Sequence, residues 1–211
     1  TPLLDLANPF LKISLDERLL DVVNSYLQMY SLFYYMSLNV TKPIKEGEKA
    51  SASQRWHRDP EDKKMLKLFI YLNDVDEVSG PFTYIPGSKY GFRWGNVFPQ
   101  RPPRGFYPED GEVEKIIPKE AVKFMTGRAG TVIFCDTSGL HKGGYATGKE
   151  RIMFTAGYRT IASAWLVFLQ FPADFKEKMT EENLGAKARF AIQPYSKTIS
   201  SRLLYWHKRN K

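Results

Sequence analysis

Between positions 12 and 30 apolar residues recur at Leu15, Leu19, Leu20, Val22, Val23 and Leu27, with charges between them. That spacing predicts an amphipathic helix packed on a sheet from outside, and Ser14 with Glu17 three residues on supplies a capping box for its start. The period then changes to two. Ser31 to Pro43, rich in Phe, Tyr and Val, predicts a strand with Ser37, Asn39 and Thr41 on one face and Met36, Leu38 and Val40 on the other. Further strands are predicted around His57–Asp59, over Met65–Leu72 and Gly80–Pro86, and over Val122–Thr126, Thr131–Asp136 and Arg151–Arg159. The last has a continuation through Trp165 to Phe171, and a short helical patch follows near Asp174–Met179. Such short strands separated by turn signals predict an all-β sandwich or jelly roll with a flanking N-terminal helix.

One stretch interrupts this rhythm. Gly87 to Gly111 is rich in Gly, Pro, Arg and aromatic residues and is too long for a simple connection, so it reads as a lid, extending to about residue 120. The 211 residues suit a single domain with a core over about 30–160, and 43% hydrophobic content suffices for a sizeable core. No apolar run approaches the roughly 18 residues of a membrane-spanning helix, so no membrane partner is expected. Cys135 is the single cysteine, which excludes an internal disulfide and fits a reducing, cytoplasmic compartment.

The formal charge of +8 is unevenly placed. Residues 196–211 carry five basic residues and no acid, while residues 87–128 hold eight basic and five acidic residues, so the rest of the chain sums to zero. A basic tail aids solubility or attracts an anionic partner. It lacks the regular aromatic interleaving of a single-strand stacking platform, which argues against nucleic acid.

The candidate chemistry begins at Gln54-Arg-Trp-His-Arg-Asp59. Side chains two apart on a strand share a face, so His57 and Asp59 point one way, while Trp56 and Arg58 face away and fall to packing and surface. An imidazole and a carboxylate are two parts of the 2-His-1-carboxylate facial triad that holds Fe(II). Alone, His-x-Asp is a common chance pair. Only two other histidines exist: His207 in the basic tail, and His141, which follows the strand ending at Asp136 and a short turn. Arg151 comes ten residues after His141, opening a strand where a guanidinium can hold a carboxylate through two parallel hydrogen bonds.

Taken in order, His57-x-Asp59, Leu72-Asn-Asp-Val75, Ser79-Gly-Pro-Phe-Thr-Tyr-Ile-Pro-Gly-Ser88, Gly130-Thr-Val-Ile-Phe-Cys-Asp136, His141 and Arg151 resemble the phytanoyl-CoA dioxygenase family over about residues 30–160. The resemblance implies a double-stranded β-helix, a distorted jelly roll, and an oxygenase dependent on Fe(II), 2-oxoglutarate and O₂. It implies that His57, Asp59 and His141 are the iron ligands and that Arg151 holds the distal carboxylate of 2-oxoglutarate. Lys89 stands where family members often have His, at a position that is no ligand. Halogenating members lack the carboxylate ligand; Asp59 is present, which favours hydroxylation or a related oxidation.

Around that centre, Asn39 and Thr83 are candidates to hydrogen-bond the co-substrate. Lys67, Phe69 and Tyr71 share one strand face, but Leu66, Leu68 and Ile70 are apolar too, so alternation leaves the inward face undecided. Phe69, together with Arg93, Trp94, Arg101, Arg104 and Tyr107 of the lid, forms the candidate substrate-binding set. The expected function is oxidation of a C–H bond in a small, anionic metabolite, with release of succinate and CO₂. Two alternatives stand beside it: a jelly-roll module that binds metal without turnover, and an oxygenase acting on a macromolecule recruited by the basic tail. Substrate identity and oligomeric state have no signature in the sequence.

Overall fold

The computed structural model describes residues 4–45, 47–49, 52–100, 107–163, 165 and 169–192. The single helix predicted over 12–30 is two: α1 (Pro9–Ser14) and α2 (Glu17–Leu27). The break falls where Asp16, rather than Ser14, takes the N-cap. Its carboxylate accepts from the backbone N–H of Arg18 at 3.0 Å and of Leu19 at 3.3 Å, whereas the Ser14 hydroxyl bonds back to the Phe10 carbonyl. Leu20, Val23 and Leu27 form the buried stripe of α2.

The strands follow as β1 (Leu32–Thr41), β2 (Met65–Tyr71) and β3 (Phe82–Tyr84). After a short helix α3 (Glu112–Ile116) come β4 (Lys123–Met125), β5 (Val132–Cys135), β6 (His141–Gly143) and β7 (Arg151–Arg159). Helices α4 (Phe175–Glu181) and α5 (Ala186–Ala191) close the described chain. One antiparallel sheet has the order β1-β7-β2-β5, the other β4-β3-β6. This is the double-stranded β-helix architecture. Of the segment 165–171, only Trp165 and residues from Leu169 onward are described, and Gln170 makes an isolated backbone contact with Leu4.

Register settles which face of the larger sheet looks inward. Leu66, Leu68, Phe154, Ala156 and Tyr158 point outward into a cluster with Leu11, Leu20, Val23, Leu27 and Ala188 of the helices. The odd-numbered residues of β2 and β7 therefore face the second sheet, where Phe69, Tyr71 and Met153 meet Phe82 and Cys135. A register shift between Phe33 and Tyr35 keeps both ends of β1 in phase with this division. Met36 packs against the helices, as its parity requires, but Leu38 and Val40 extend past them and are about half exposed.

A third cluster lies on the outer side of the smaller sheet, where Trp56, Ile85, Val113, Ile117 and Leu140 are buried and Trp94, Val97 and Phe98 pack against them. Residues 87–100, expected as lid, are thus anchored by their own aromatic residues. Arg58 completes the anchor. It was expected at the surface, but it is 1% exposed, and its guanidinium donates to the carbonyls of Val97 and Ser138 at 2.8 Å, Phe98 at 2.6 Å and Trp94 at 3.3 Å. The rule that alternate strand residues reach solvent fails here because that face is roofed by the 87–100 segment. No helix among the described residues is long and apolar enough to cross a membrane.

Candidate metal centre and its cavity

His57 and His141 are brought together by backbone pairing. The two residues exchange both backbone hydrogen bonds, His57 N–H to His141 O at 2.9 Å and the reverse at 3.1 Å, which brings their rings to 4.1 Å between centroids. One step on, the Asp59 N–H donates to the Thr137 carbonyl at 3.0 Å and extends the same alignment.

Each imidazole is oriented in the same way. His57 Nδ1 lies 2.8 Å from the Arg55 carbonyl and His141 Nδ1 lies 3.0 Å from the Gly139 carbonyl. A carbonyl only accepts, so both Nδ1 atoms carry the proton and both Nε2 lone pairs point inward. Between them sits the Asp59 carboxylate, with Oδ1 3.7 Å from His57 Nε2 and Oδ2 3.5 Å from His141 Nε2. One donor atom from each of the three residues falls within 4.8 Å of the others, and all three residues are buried.

Electrostatics favour a cation at this point. Burial pushes the His57 pKa down, and burial together with the charge of His57 lowers that of His141 to about 3, so both rings are neutral ligands at physiological pH. Burial works to raise the Asp59 pKa, but Lys67 and the two histidines outweigh it and hold the carboxyl below the usual range. Asp59 Oδ2 is buried, and its close partner is the Lys67 ammonium at 2.6 Å. Two neutral imidazoles and an ionised carboxylate, converging on one buried point, are a donor set that fits a ferrous ion.

The centre opens into a cavity of about 550 Å³. Cross-strand rows build its floor: Thr41 beside Arg151, Asn39 beside Met153, and Phe69 beside Thr155, with Lys67 one row further along β2. Arg151, 4% exposed, donates from Nη1 to the Gly80 carbonyl and from Nη2 to the Thr41 hydroxyl at 3.0 Å, leaving its buried Nε without a partner. Gly80 is required there. It has φ +67°, and a Cβ would meet the backbone of residues 144–146 at 2.6 Å. Gln54, Lys42 and Tyr107 line the same cavity, and the Tyr107 ring stacks on His57 at 5.3 Å.

Of the other sequence-derived candidates, Asn39 and Phe69 line the cavity. Thr83 does not. It pairs with Phe124 and Lys142 on the opposite face of its sheet from Phe82, and its buried hydroxyl donates to the Pro81 carbonyl at 3.0 Å. Trp94 packs in the third cluster with the Arg93 guanidinium 4.5 Å above its ring, and neither lines the cavity. Arg101, Arg104, His207 and the 196–211 tail lie outside the described residues.

Lys67 is the participant that alternation left undecided. It is 8% exposed, and its Nζ lies 2.6 Å from Asp59 Oδ2 and 3.9 Å from Glu61 Oε1. A readable signal existed: a single charge inside the apolar strand Met65-Leu-Lys-Leu-Phe-Ile-Tyr71 needs a buried partner.

Among solved structures, the chain is similar to the epimerase SnoN in complex with Fe3+, alpha ketoglutarate and nogalamycin RO. The identity is 18%, covering 73% of this chain and 59% of that one, with a TM-score of 0.55. It is similar to EctD from S. alaskensis with bound Fe at 20% identity, covering 80% and 59%, TM-score 0.55. The same enzyme with 2-oxoglutarate and 5-hydroxyectoine gives 20% identity, 78% and 57% coverage, and a TM-score of 0.54. These likenesses speak for the fold, and the chain spans less than three-fifths of the length of each of these structures. No curated protein matches the chain significantly. The phytanoyl-CoA dioxygenase family model, however, matches residues 3–153, the greater part of the sequence and every residue of the metal centre. The chain belongs to the phytanoyl-CoA dioxygenase family, whose members are Fe(II)- and 2-oxoglutarate-dependent oxygenases.

Proposed function

We propose that this chain is an Fe(II)- and 2-oxoglutarate-dependent oxygenase that oxidises a C–H bond of a small, anionic metabolite. The observation that carries the reading is the convergence of His57 Nε2, His141 Nε2 and the Asp59 carboxylate on one buried point at the head of a cavity containing Arg151. When bound, the metal would activate O₂, the oxidant, with two of its four electrons supplied by 2-oxoglutarate, which leaves as succinate and CO₂, and two by the substrate C–H bond.

The residues supply position and dryness. His57, Asp59 and His141 would hold the metal, with the cavity on its open side available to the co-substrate. Arg151 takes the distal carboxylate. Its orientation is held by the Gly80 carbonyl and the Thr41 hydroxyl, and its unpartnered Nε is the kind of buried donor an incoming carboxylate satisfies. Asn39, one row along, offers its side chain to the same molecule, with its Nδ2 now 2.8 Å from the Ser37 hydroxyl. Phe69, Phe82 and Met153 shield the reacting region from water.

The substrate side is the open rim, where Lys42, Gln54 and Tyr107 combine a cation, an amide and an aromatic face. A small molecule with a negative group and a flat or apolar part suits that rim. Two of the solved structures named above, SnoN with nogalamycin RO and EctD with 5-hydroxyectoine, support a small-molecule reading.

Succinate formation from 2-oxoglutarate in the presence of Fe(II) and ascorbate tests the proposal across a panel of small acids. The wild-type chain should produce succinate, and His57→Ala and His141→Ala should not. A wild-type chain that binds iron yet forms no succinate with any panel member would point to a module that holds metal without turnover.

A further inference from the structure

A second cavity, of about 330 Å³, lies along β5, at the opposite edge of the larger sheet from β1. β5 and β4 are the edge strands of their two sheets on this side, and the cavity occupies the gap between them. Inward-facing Ile133 and Cys135 of β5 and Met125 of β4 line it. Its mouth is bordered by Tyr26 of α2 and by Lys89 and Phe92 of the 87–100 segment. The polar groups there are spent on one another. Lys89 Nζ donates to the Tyr26 hydroxyl at 2.7 Å and lies over the rings of Tyr26 and Phe92, and the Tyr26 hydroxyl donates to the Asp136 carboxylate. What the interior offers a small molecule is mainly apolar surface.

The strand register sets this cavity against the metal centre. Across the larger sheet Ile133 stands opposite Phe69 and Cys135 opposite Lys67, and across the smaller sheet Met125 stands opposite Phe82. Phe82, 3% exposed, belongs to the walls of both cavities, with its ring 4.5 Å from that of Phe69 and 5.7 Å from that of His141. One layer of side chains, Phe82 and Phe69 with Cys135 beside them, therefore separates the second cavity from the space at the metal. We propose that the cavity between β4 and β5 is the entrance by which dioxygen reaches the metal centre. The inference rests on the oxygenase reading given above. In the larger cavity a co-substrate held at Arg151 and a substrate at the rim of Lys42, Gln54 and Tyr107 stand between solvent and the metal. Dioxygen is small, uncharged and more soluble in apolar surroundings than in water, and apolar cavities bind molecules such as benzene or xenon. Crossing the Phe82 layer needs side-chain motion and no displacement of either sheet.

The first test uses the wild-type chain and no metal. Methyl NMR under dioxygen pressure reads the local concentration of the gas from paramagnetic relaxation. The methyl groups of Met125 and Ile133 should relax several-fold more than that of Met29, which is 42% exposed and samples gas dissolved in bulk water, and more than those of Leu20, buried in the outer cluster. Enhancement at Met125 and Ile133 no greater than at Met29 would overturn the proposal.

The second test reads arrival at the metal. Anaerobic protein loaded with Fe(II) and 2-oxoglutarate is mixed with dioxygen, and decay of the visible absorption of the 2-oxo acid on ferrous iron gives a rate that rises with dioxygen concentration. Ile133→Trp and Met125→Trp, both at half-buried positions, each place an indole in the second cavity. The slope of the rate against dioxygen should fall about tenfold in either variant, with the affinities for Fe(II) and 2-oxoglutarate unchanged. A wild-type slope in both variants would overturn the proposal while leaving the oxygenase reading standing. If the variants lose the absorption itself, the relaxation experiment on the wild type decides. A wild type that develops no absorption with Fe(II) and 2-oxoglutarate would overturn the oxygenase reading and this proposal with it.

Discussion

Replacing Arg58 by Met should detach the 87–100 segment from the side of the metal centre. The guanidinium makes three hydrogen bonds of 2.6–2.8 Å and one of 3.3 Å, all to backbone carbonyls, three of which belong to Trp94, Val97 and Phe98. Burial lowers its pKa to about 10, so it remains charged at neutral pH and these are charge-assisted bonds. At about 1.5–3 kcal/mol each, the three short bonds are worth about 5–9 kcal/mol gross. Desolvation of the guanidinium cancels part of this, and the segment's carbonyls can regain water by lifting away. Only the carbonyl of buried Ser138 would stay stranded. A net loss of about 3–5 kcal/mol remains, the range for removing one partner from a buried charged network. In a urea titration of the metal-free protein the midpoint should fall by about 1 M or more. Proteolytic cleavage within 89–100 should accelerate before global unfolding. Arg58→Lys should rescue little, because one ammonium cannot reach four carbonyls spread around a planar fork. A midpoint within about 0.2 M of wild type, with unchanged cleavage of the segment, would refute the assignment of Arg58 as its anchor.

His57→Ala and His141→Ala should each abolish stoichiometric iron binding, read by metal analysis after anaerobic gel filtration; full occupancy in either would remove that residue from the centre. Arg151→Ala should raise the 2-oxoglutarate concentration for half-maximal turnover by about 10–100-fold, and Arg151→Lys should recover only part of it, since the paired geometry is lost. Thr83→Val should leave that concentration unchanged, because the hydroxyl faces the Pro81 carbonyl, and a large increase would place it in the cavity after all. Metal-free protein should lose stability on acidification. The folded-state pKa of His141, about 3, lies below the unfolded value of about 6.5, so the unfolded chain takes up the proton first. This contribution is complete above about pH 6.5 and drains away towards pH 3. Urea midpoints measured in chelator from pH 7.5 to 4.5 should therefore fall more steeply for wild type than for His141→Gln; parallel curves would contradict the buried, neutral state of this ring.

The metal centre was legible in the sequence because its chemistry is carried by rare residues in a fixed order. Three histidines leave few ways to build a facial triad, and the Gly-Pro and Pro-Gly-Ser segments around them carry a family pattern. The strands were legible for a similar reason, since polar Ser37, Asn39 and Thr41 alternate with apolar neighbours. Where alternation carries no contrast, reading stopped. Met65 to Tyr71 is apolar on both faces because helices cover one and the second sheet the other, so only register reveals that Lys67 and Phe69 look inward. Thr83 sits on a three-residue strand whose parity is set by Phe82 facing the cavity, a relation between sheets that no local pattern expresses. Arg58 obeys alternation in pointing away from the metal, but what covers that face comes from forty residues downstream. The break between α1 and α2 depends on a choice between Ser14 and Asp16 as cap, two residues that sequence preference alone ranks alike.

The most direct measurement is anaerobic binding of Fe(II) and 2-oxoglutarate to the full chain, followed by calorimetry and by the visible absorption that a 2-oxo acid develops on ferrous iron. One Fe(II) and one 2-oxoglutarate per chain are expected, with the absorption requiring both ligands and lost in His141→Ala. No binding by the wild type, or metal binding that survives loss of His57 or His141, would contradict the assignment of this site.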